Sequence, residues 1–449
     1  MVIDFLRQFV SSVRSPDLEN LSSTEKIVLW TAALTPLWWL LGIQPLFYPA
    51  VSAVLFLQNL TLNKLIRKPF PAFIWVWFLM CVVACITMML GLDEMGAGLT
   101  AVAAGLVTLF KSYFMIFAFL CLPFLTRIRS QVVTRAITFI AIGILCNLVM
   151  QMGLLAVGVN NVVYVPPLAQ AIPGRVSSSL LVKSAKFADF FGLSLPRTIL
   201  HTADPPILGL CSVLCFLVCL TENNSLLRRL SLIGALSGLA ISFSRSAWLG
   251  FGFSLLLTAS FKFNLARQIP LFSISIVLWV SSFMGMTLNQ LLEMPRQLFD
   301  SARASSSETR ALVVQKTLEA WQEKIWLGWG VIRGQVWLYE TTYIGLGSFS
   351  TYSAVLYLNG LIGFIVFISA LLLTLVKAYT LAINGNLSCQ IAFSGFLTLC
   401  ILIQATPLSW MAIYLWFFFL WIGSVVAETE QNVISYSRWE QLITPSPDI

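Results

Sequence analysis

The sequence predicts an all-α polytopic membrane protein, a bundle of about twelve transmembrane helices with a large, partly helical outer loop. Three observations carry this. Apolar runs of span length recur from end to end of the chain. The composition is 58% hydrophobic and 10% charged with a mean hydropathy of +0.87, a profile that soluble domains do not have. The short polar connections alternate between basic and base-poor, as expected of a chain that weaves through a bilayer.

The elements follow in order. Residues 1–26 show no cleavage site after a short apolar core, so they do not read as a signal peptide. Ile3, Leu6, Phe9, Val10 and Val13 share one helical face, with Asp4, Arg7, Ser11 and Arg14 opposite. That pattern predicts a cytoplasmic helix lying on the membrane surface. Spans are expected at 27–43, 45–62, 71–91, 99–124 and 136–158, forming an N-terminal group over 27–158. A first outer loop covers 159–204. Central spans at 205–221, 230–243, 246–261 and 269–290 make a group over 205–290, with a Ser244-Arg245 corner inside it. A large outer loop covers 291–352. Spans at 353–376, 386–406 and 409–427 close the bundle, and 428–449 is a cytoplasmic tail.

Orientation comes from lysine and arginine in the short connections. Lys64, Arg67 and Lys68 sit in one; Arg127, Arg129 and Arg135 in another. Arg228 with Arg229, Lys262 with Arg267, and Lys377 follow with the same parity. The intervening short connections are base-poor and include Asp93 and Glu94. Both termini are therefore expected in the cytoplasm, with 159–204, the Ser244-Arg245-Ser246 corner and 291–352 on the outer face. In a Gram-negative cell this is the periplasmic face of the inner membrane.

The net charge of +8 is largely this positional bias, so no nucleic-acid partner is expected. Each of the nine cysteines falls in an apolar run, which argues against disulfides stapling the loops. Cys211, Cys215 and Cys219 share a helical face; as small buried hydrophobes they need no metal. His201 is the single histidine, which excludes a His-rich zinc site. No metal and no cofactor are expected. Lys111 lies near the middle of its span and has two readings. It is either a functional ionisable group or a structural donor to Asn147, Gln151 or Gln404.

The outer connections carry Arg175, Arg197, Arg245, Arg296, Arg303, Arg310 and Arg333, with Lys183, Lys186, Lys316 and Lys324. Long loops are exempt from the charge rule, so ordinary solvated charge is one explanation. Arg245 does not fit it well, because a tight corner between spans obliges no charge. A cationic pocket at the membrane surface fits better, since guanidinium forks match phosphate oxygens in pairs.

At this point the residues resemble a family. Phe243-Ser244-Arg245-Ser246-Ala247-Trp248-Leu249-Gly250 is similar to the Ser-Arg-x-x-Trp-Leu segment of the O-antigen ligase and polymerase superfamily. Residues 196–205, Pro-Arg-Thr-Ile-Leu-His-Thr-Ala-Asp-Pro, resemble the segment before its central span. Glu308-Thr309-Arg310, then Trp321, then Gly328-Trp329-Gly330 resemble the start of its periplasmic loop. Ser350, nine residues, then Gly360 and Gly363 resemble the loop's end, where ligases carry a histidine just before the polar residue.

The resemblance implies a membrane glycosyltransferase or polymerase acting on undecaprenyl-pyrophosphate-linked glycan in surface polysaccharide or O-antigen assembly. Its partners would be the lipid-linked glycan donor, a saccharide or lipid A-core acceptor, membrane lipids, and a flippase or chain-length regulator. The alternatives are an O-antigen ligase proper and a membrane transporter of the same superfamily. Arg245 and Arg310 match the family's positions and would hold the pyrophosphate, with Arg197 next. Leaving-group charge grows in the transition state, so fixed cations there favour reaction over binding.

The departure is Phe349, which stands where the ligase histidine would be and cannot take a proton. His201, or a carboxylate such as Glu308, Asp204 or Glu340, would serve as base instead. Otherwise positioning alone suffices, or activity has been lost and binding kept. Polymerases vary more at that position than ligases do, which points to polymerase.

Overall fold

The computed structural model describes residues 20–61, 70–170, 180–190, 193–261, 304–339 and 342–443. The expected surface helix before residue 20, the span at 269–290 and the start of the large outer loop lie outside these. The described chain is mostly helical. Helix α1 is Ser23–Ala33, α2 Thr35–Leu40, α3 Gln44–Asn59 and α4 Ala72–Glu94. Helix α5 is Leu99–Leu125 and α6 is Ser130–Ala156. After a loop with one helical turn, α7 (Pro167–Gln170), come α8 (Pro205–Cys219), α9 (Ser225–Ser242) and α10 (Arg245–Ser260). Helix α11 is Ala304–Gln322, α12 Thr351–Asn384, α13 Leu387–Leu402 and α14 Leu408–Ile443.

Six of the described helices are long and apolar enough to cross a membrane: α4, α5, α6, α9, α12 and α14, the last over Leu408–Gln431. This differs from the expected span list. The expected span 27–43 divides into α1 and α2 because Pro36 starts a new helix at Thr35. The spans expected at 45–62, 205–221, 246–261 and 386–406 fold as apolar helices of 15 or 16 residues. Helix α14 runs well past 427, so most of the expected tail continues a helix.

Helix α14 is the centre of the bundle, with 94% of its spanning window buried. Its run Trp416-Phe417-Phe418-Phe419-Leu420-Trp421 is buried on every face, so protein surrounds the helix there. A Cβ on Gly423 would lie 2.6 Å from the Leu120 carbonyl oxygen, so α5 and α14 touch backbone to backbone there. Trp421 Nε1 donates to Thr134 Oγ1 on α6 at 3.0 Å.

Charged contacts gather at the two ends. At one end Arg129 donates to Glu25 at 2.8 Å and Lys377 pairs with Glu430 at 2.6 Å. Arg135 grips Glu222 through two bonds of 2.9 and 2.8 Å, and both side chains are buried. Arg135 thus lies inside α6 with its charge matched, where the sequence suggested a free loop base. The other end, the loop end, carries the described residues of 157–170, 180–190, 193–204, 304–339, 342–350 and 403–407.

The loop end also holds three two-stranded antiparallel hairpins that the all-α reading lacked. Strand β1 (Val163–Tyr164) pairs with β2 (Val182–Lys183), β3 (Lys186–Phe190) with β4 (Leu193–Arg197), and β5 (Gln335–Tyr339) with β6 (Thr342–Gly345). The β5–β6 pair is rich in β-branched and aromatic residues, and Trp337 packs on Tyr343 across it at 5.2 Å between ring centroids.

Helix α11 is fixed to the bundle through glycine. Helix α12 breaks at Gly360, where φ is 64° and ψ −167°, a backbone region open essentially to glycine alone. Residues 325–330 fill the break. Trp329 N–H donates to the Tyr357 carbonyl and Gly330 N–H to that of Leu358, both at 2.8 Å. In return Leu361 N–H donates to Ile325 O at 2.8 Å and Ile362 N–H to Trp326 O at 3.2 Å. On its other side this turn presses on α4: a Cβ on Gly330 would lie 1.9 Å from the Thr87 carbonyl oxygen.

Candidate functional site

Three segments of the loop end converge. The first is the corner between α9 and α10. Helix α9 ends in left-handed Phe243 (φ 47°), Ser244 reverses the chain, and Arg245 is the first residue of α10. The α10 N-terminus receives no side-chain cap, so the helix dipole there is not offset by a capping side chain, a setting that suits an anion. The corner packs on α8: a Cβ on Gly209 would lie 2.6 Å from Ala247 Cβ and 3.0 Å from Ser244 Cβ.

The second segment is 197–204, which descends from β4 into α8. Arg197 Nε donates to the Ser242 carbonyl at 3.3 Å, which ties this segment to the corner. Thr198 Oγ1 bonds Gln151 Oε1, and Gln151 Nε2 donates to Asn147 Oδ1 at 3.3 Å. Those two side chains on α6 therefore serve the loop. Lys111, for which they were suggested partners, makes no hydrogen bond among the described residues and sits in a π-type turn, Phe110–Phe114. Left-handed Leu200 (φ 47°) turns His201 inward.

His201 is 4% exposed, so it is not the solvated loop histidine that its position suggested. Its Nδ1 is buried without a hydrogen-bond partner among the described residues. Burial disfavours the imidazolium and pulls its pKa down to about 4. Asp204 follows at the N-terminus of α8. Asp204 is exposed, yet desolvation by the surrounding protein still pushes its pKa up. Arg310, Arg197, Lys183 and Lys186 lie within electrostatic reach and oppose the rise.

The third segment is α11 with the start of α12. Arg310, Val313 and Thr317 share one face of α11. Val313 and Thr317 are fully buried, and Gly347 N–H donates to Thr317 Oγ1 at 3.0 Å. This anchors the face that carries Arg310, whose guanidinium lies over the Phe349 ring at 5.3 Å from the centroid. Ser350, at φ 63°, then starts α12. Thr351 locks that start to the turn before α14, donating to Thr406 O at 2.9 Å and accepting from Leu408 N–H at 2.8 Å.

The structure therefore brings Arg197 and Arg310 within electrostatic reach of Asp204, with Arg197 bonded to the corner that begins α10 at Arg245. Glu308 does not join them; it is exposed and makes no ion pair among the described residues. Arg333, grouped in the sequence with loop charge, belongs to a separate clamp. It pairs with Glu94 at 2.9 Å, donates to Gly91 O at 2.7 Å and lies over Trp329 at 5.0 Å, a ring that Lys324 also approaches. Arg303 and Glu340 lie outside the described residues. Two roles were missed in the sequence. Phe349 is a rest for Arg310 as well as an absent base, and Tyr414 of α14 lies within electrostatic reach of Asp204. Neither has a local signal, because both partners are distant in sequence.

The nine cysteines are free and eight are buried or half-buried, and no group of three or more His, Cys, Asp or Glu could hold a metal among the described residues. A family model described as O-antigen ligase matches residues 230–368, a stretch that contains Arg245, Arg310, Phe349 and Gly360. No curated protein matches the chain.

Proposed function

We propose, from the premise that the chain belongs to the O-antigen ligase superfamily through residues 230–368, that it is a membrane glycosyltransferase that polymerises undecaprenyl-pyrophosphate-linked glycan. The reading places about twelve spans in the inner membrane, with both termini cytoplasmic and the loop end periplasmic. The observation that carries it is that Arg197 and Arg310, from separate segments, both lie within electrostatic reach of Asp204, with Arg197 bonded to the Arg245 corner.

In this reading Arg245, Arg310 and Arg197 hold the donor's pyrophosphate. The uncapped N-terminus of α10 adds partial positive charge on the same side. An acceptor hydroxyl attacks the anomeric carbon, the bond to the phosphate oxygen breaks, and the electron pair leaves on the pyrophosphate. The cations stabilise charge that grows during this step, which raises turnover as well as affinity. A lipid tail on the donor accounts for a site set between membrane helices.

Phe349 favours polymerase over ligase, because the ligase histidine's place is given to an aromatic support for Arg310. The acceptor is then a growing saccharide chain. A deletion strain examined for surface-polysaccharide length tests this. Single units without long chains support polymerase; accumulated lipid-linked polymer means ligase; normal polysaccharide overturns both.

A further inference from the structure

We propose that Asp204 accepts the proton of the acceptor hydroxyl, the role that Phe349 cannot fill; this rests on the function proposed above. The argument starts from the backbone. An aspartate at a helix N-cap ordinarily accepts from the N–H groups of the second and third helical residues. Here Pro205 and Pro206 open the helix, and the N–H of Ile207 goes to the Asp204 backbone carbonyl at 3.1 Å. The carboxylate makes no capping bond, so local structure leaves it available for another use.

Its surroundings say what that use is. Lys183, Lys186 and Arg197 of the outer loop, Arg310 of α11 and Tyr414 of α14 lie within electrostatic reach of it, with His201 three residues away. Arg310 also lies on the Phe349 ring. One guanidinium thus has Asp204 within its reach and the ligase-histidine position under its face.

The other candidates fit less well. His201 is buried, while Glu308, exposed as Asp204 is, makes no ion pair among the described residues. Asp204 is exposed, yet desolvation by nearby protein pushes its pKa up, so its carboxylate is a stronger base than a free surface aspartate. In the step, the acceptor O–H gives its proton to a carboxylate oxygen as oxygen bonds to the anomeric carbon. The carbon–phosphate oxygen bond breaks and its electron pair leaves with undecaprenyl pyrophosphate. The proton on Asp204 then passes to water, which returns the carboxylate.

The test uses the full-length protein in proteoliposomes. The probe is undecaprenyl-pyrophosphate-linked oligosaccharide extracted from the cells that make the chain, with extension followed on gels. Asp204→Asn should lower kcat about 10²- to 10⁴-fold. Its donor KM should stay level or fall, since a negative charge beside the arginines is gone. The acid limb of the wild-type kcat profile should vanish from the residual activity, and Asp204→Glu should recover part of the rate. A kcat within threefold of wild type overturns the proposal. So does a rise in donor KM with the acid limb intact, the result expected of a counter-ion that only positions Arg310. A wild-type protein that leaves the donor intact removes the polymerase reading itself. An active wild type beside an active Asn variant removes only the role of Asp204.

Discussion

Replacing Gly360 with alanine would put a methyl group 2.2 Å from the Trp326 carbonyl oxygen and 2.5 Å from the Leu327 nitrogen. Both neighbours are backbone and cannot rotate away. The conformation at Gly360 (φ 64°, ψ −167°) adds about 1–3 kcal/mol of strain for any side chain. Relief requires residues 325–330 to withdraw from α12, with loss of some of the four backbone bonds between them, each worth about 1 kcal/mol. The expected cost is about 3–6 kcal/mol. Gly252→Ala is the control: nothing lies within 4 Å of its Cβ, so a mid-helix alanine should be neutral or gain about 0.5–1 kcal/mol. Heating purified protein in detergent and measuring the monodisperse fraction reads the difference. The Gly360 variant should be lost well below wild type while the Gly252 variant survives at least as well. Equal survival of the Gly360 variant would refute the role given to this glycine.

Three further outcomes follow from the described contacts. His201 is neutral in the folded chain, with a pKa of about 4 against an ordinary 6.5, so the unfolded chain takes up the proton first as pH falls. Its contribution is complete above pH 6.5 and lost as pH falls through 4, about 3 kcal/mol at most. His201→Phe should flatten that acid limb in melts between pH 7.5 and 4.5, whereas an unchanged limb assigns it to other groups. Arg333→Ala should lower stability by about 1–3 kcal/mol through loss of the Gly91 bond and the Trp329 contact, with a smaller share from the half-exposed Glu94 pair. A neutral result in the same melt would return Arg333 to ordinary loop charge. Phe349→Leu keeps the volume but removes the aromatic face under Arg310, worth about 0.5–2 kcal/mol, so donor KM should rise about 2- to 30-fold. An unchanged KM would mean that the ring does not hold the guanidinium for substrate.

The sequence made the helices legible because a bilayer demands long apolar runs, and α4, α5, α6, α12 and α14 follow from them directly. It also marked Arg197, Arg245 and Arg310, since charge in a corner or loop beside apolar spans stands out. What it hid depends on partners distant in the chain. The burial of Arg135 depends on Glu222, 87 residues later. The central place of α14 depends on what surrounds it, which no run of Trp and Phe reveals. The hairpin β3–β4 was hidden because five-residue strands in a loop carry a weak alternation beside strong span signals. Gly360 and Gly363 read as a motif in the sequence. The physical need at Gly360 is a break in α12 that another backbone can enter.

The central claim is that these arginines hold a pyrophosphate. The most direct measurement is the affinity of the purified protein for undecaprenyl pyrophosphate and undecaprenyl monophosphate, compared among wild type, Arg245→Lys and Arg310→Lys. The wild type should prefer the pyrophosphate. Each lysine variant keeps the charge but loses the two-point fork, so it should bind the pyrophosphate about 10-fold or more weakly and show a narrower preference. Wild-type affinity and preference in both variants would contradict the account.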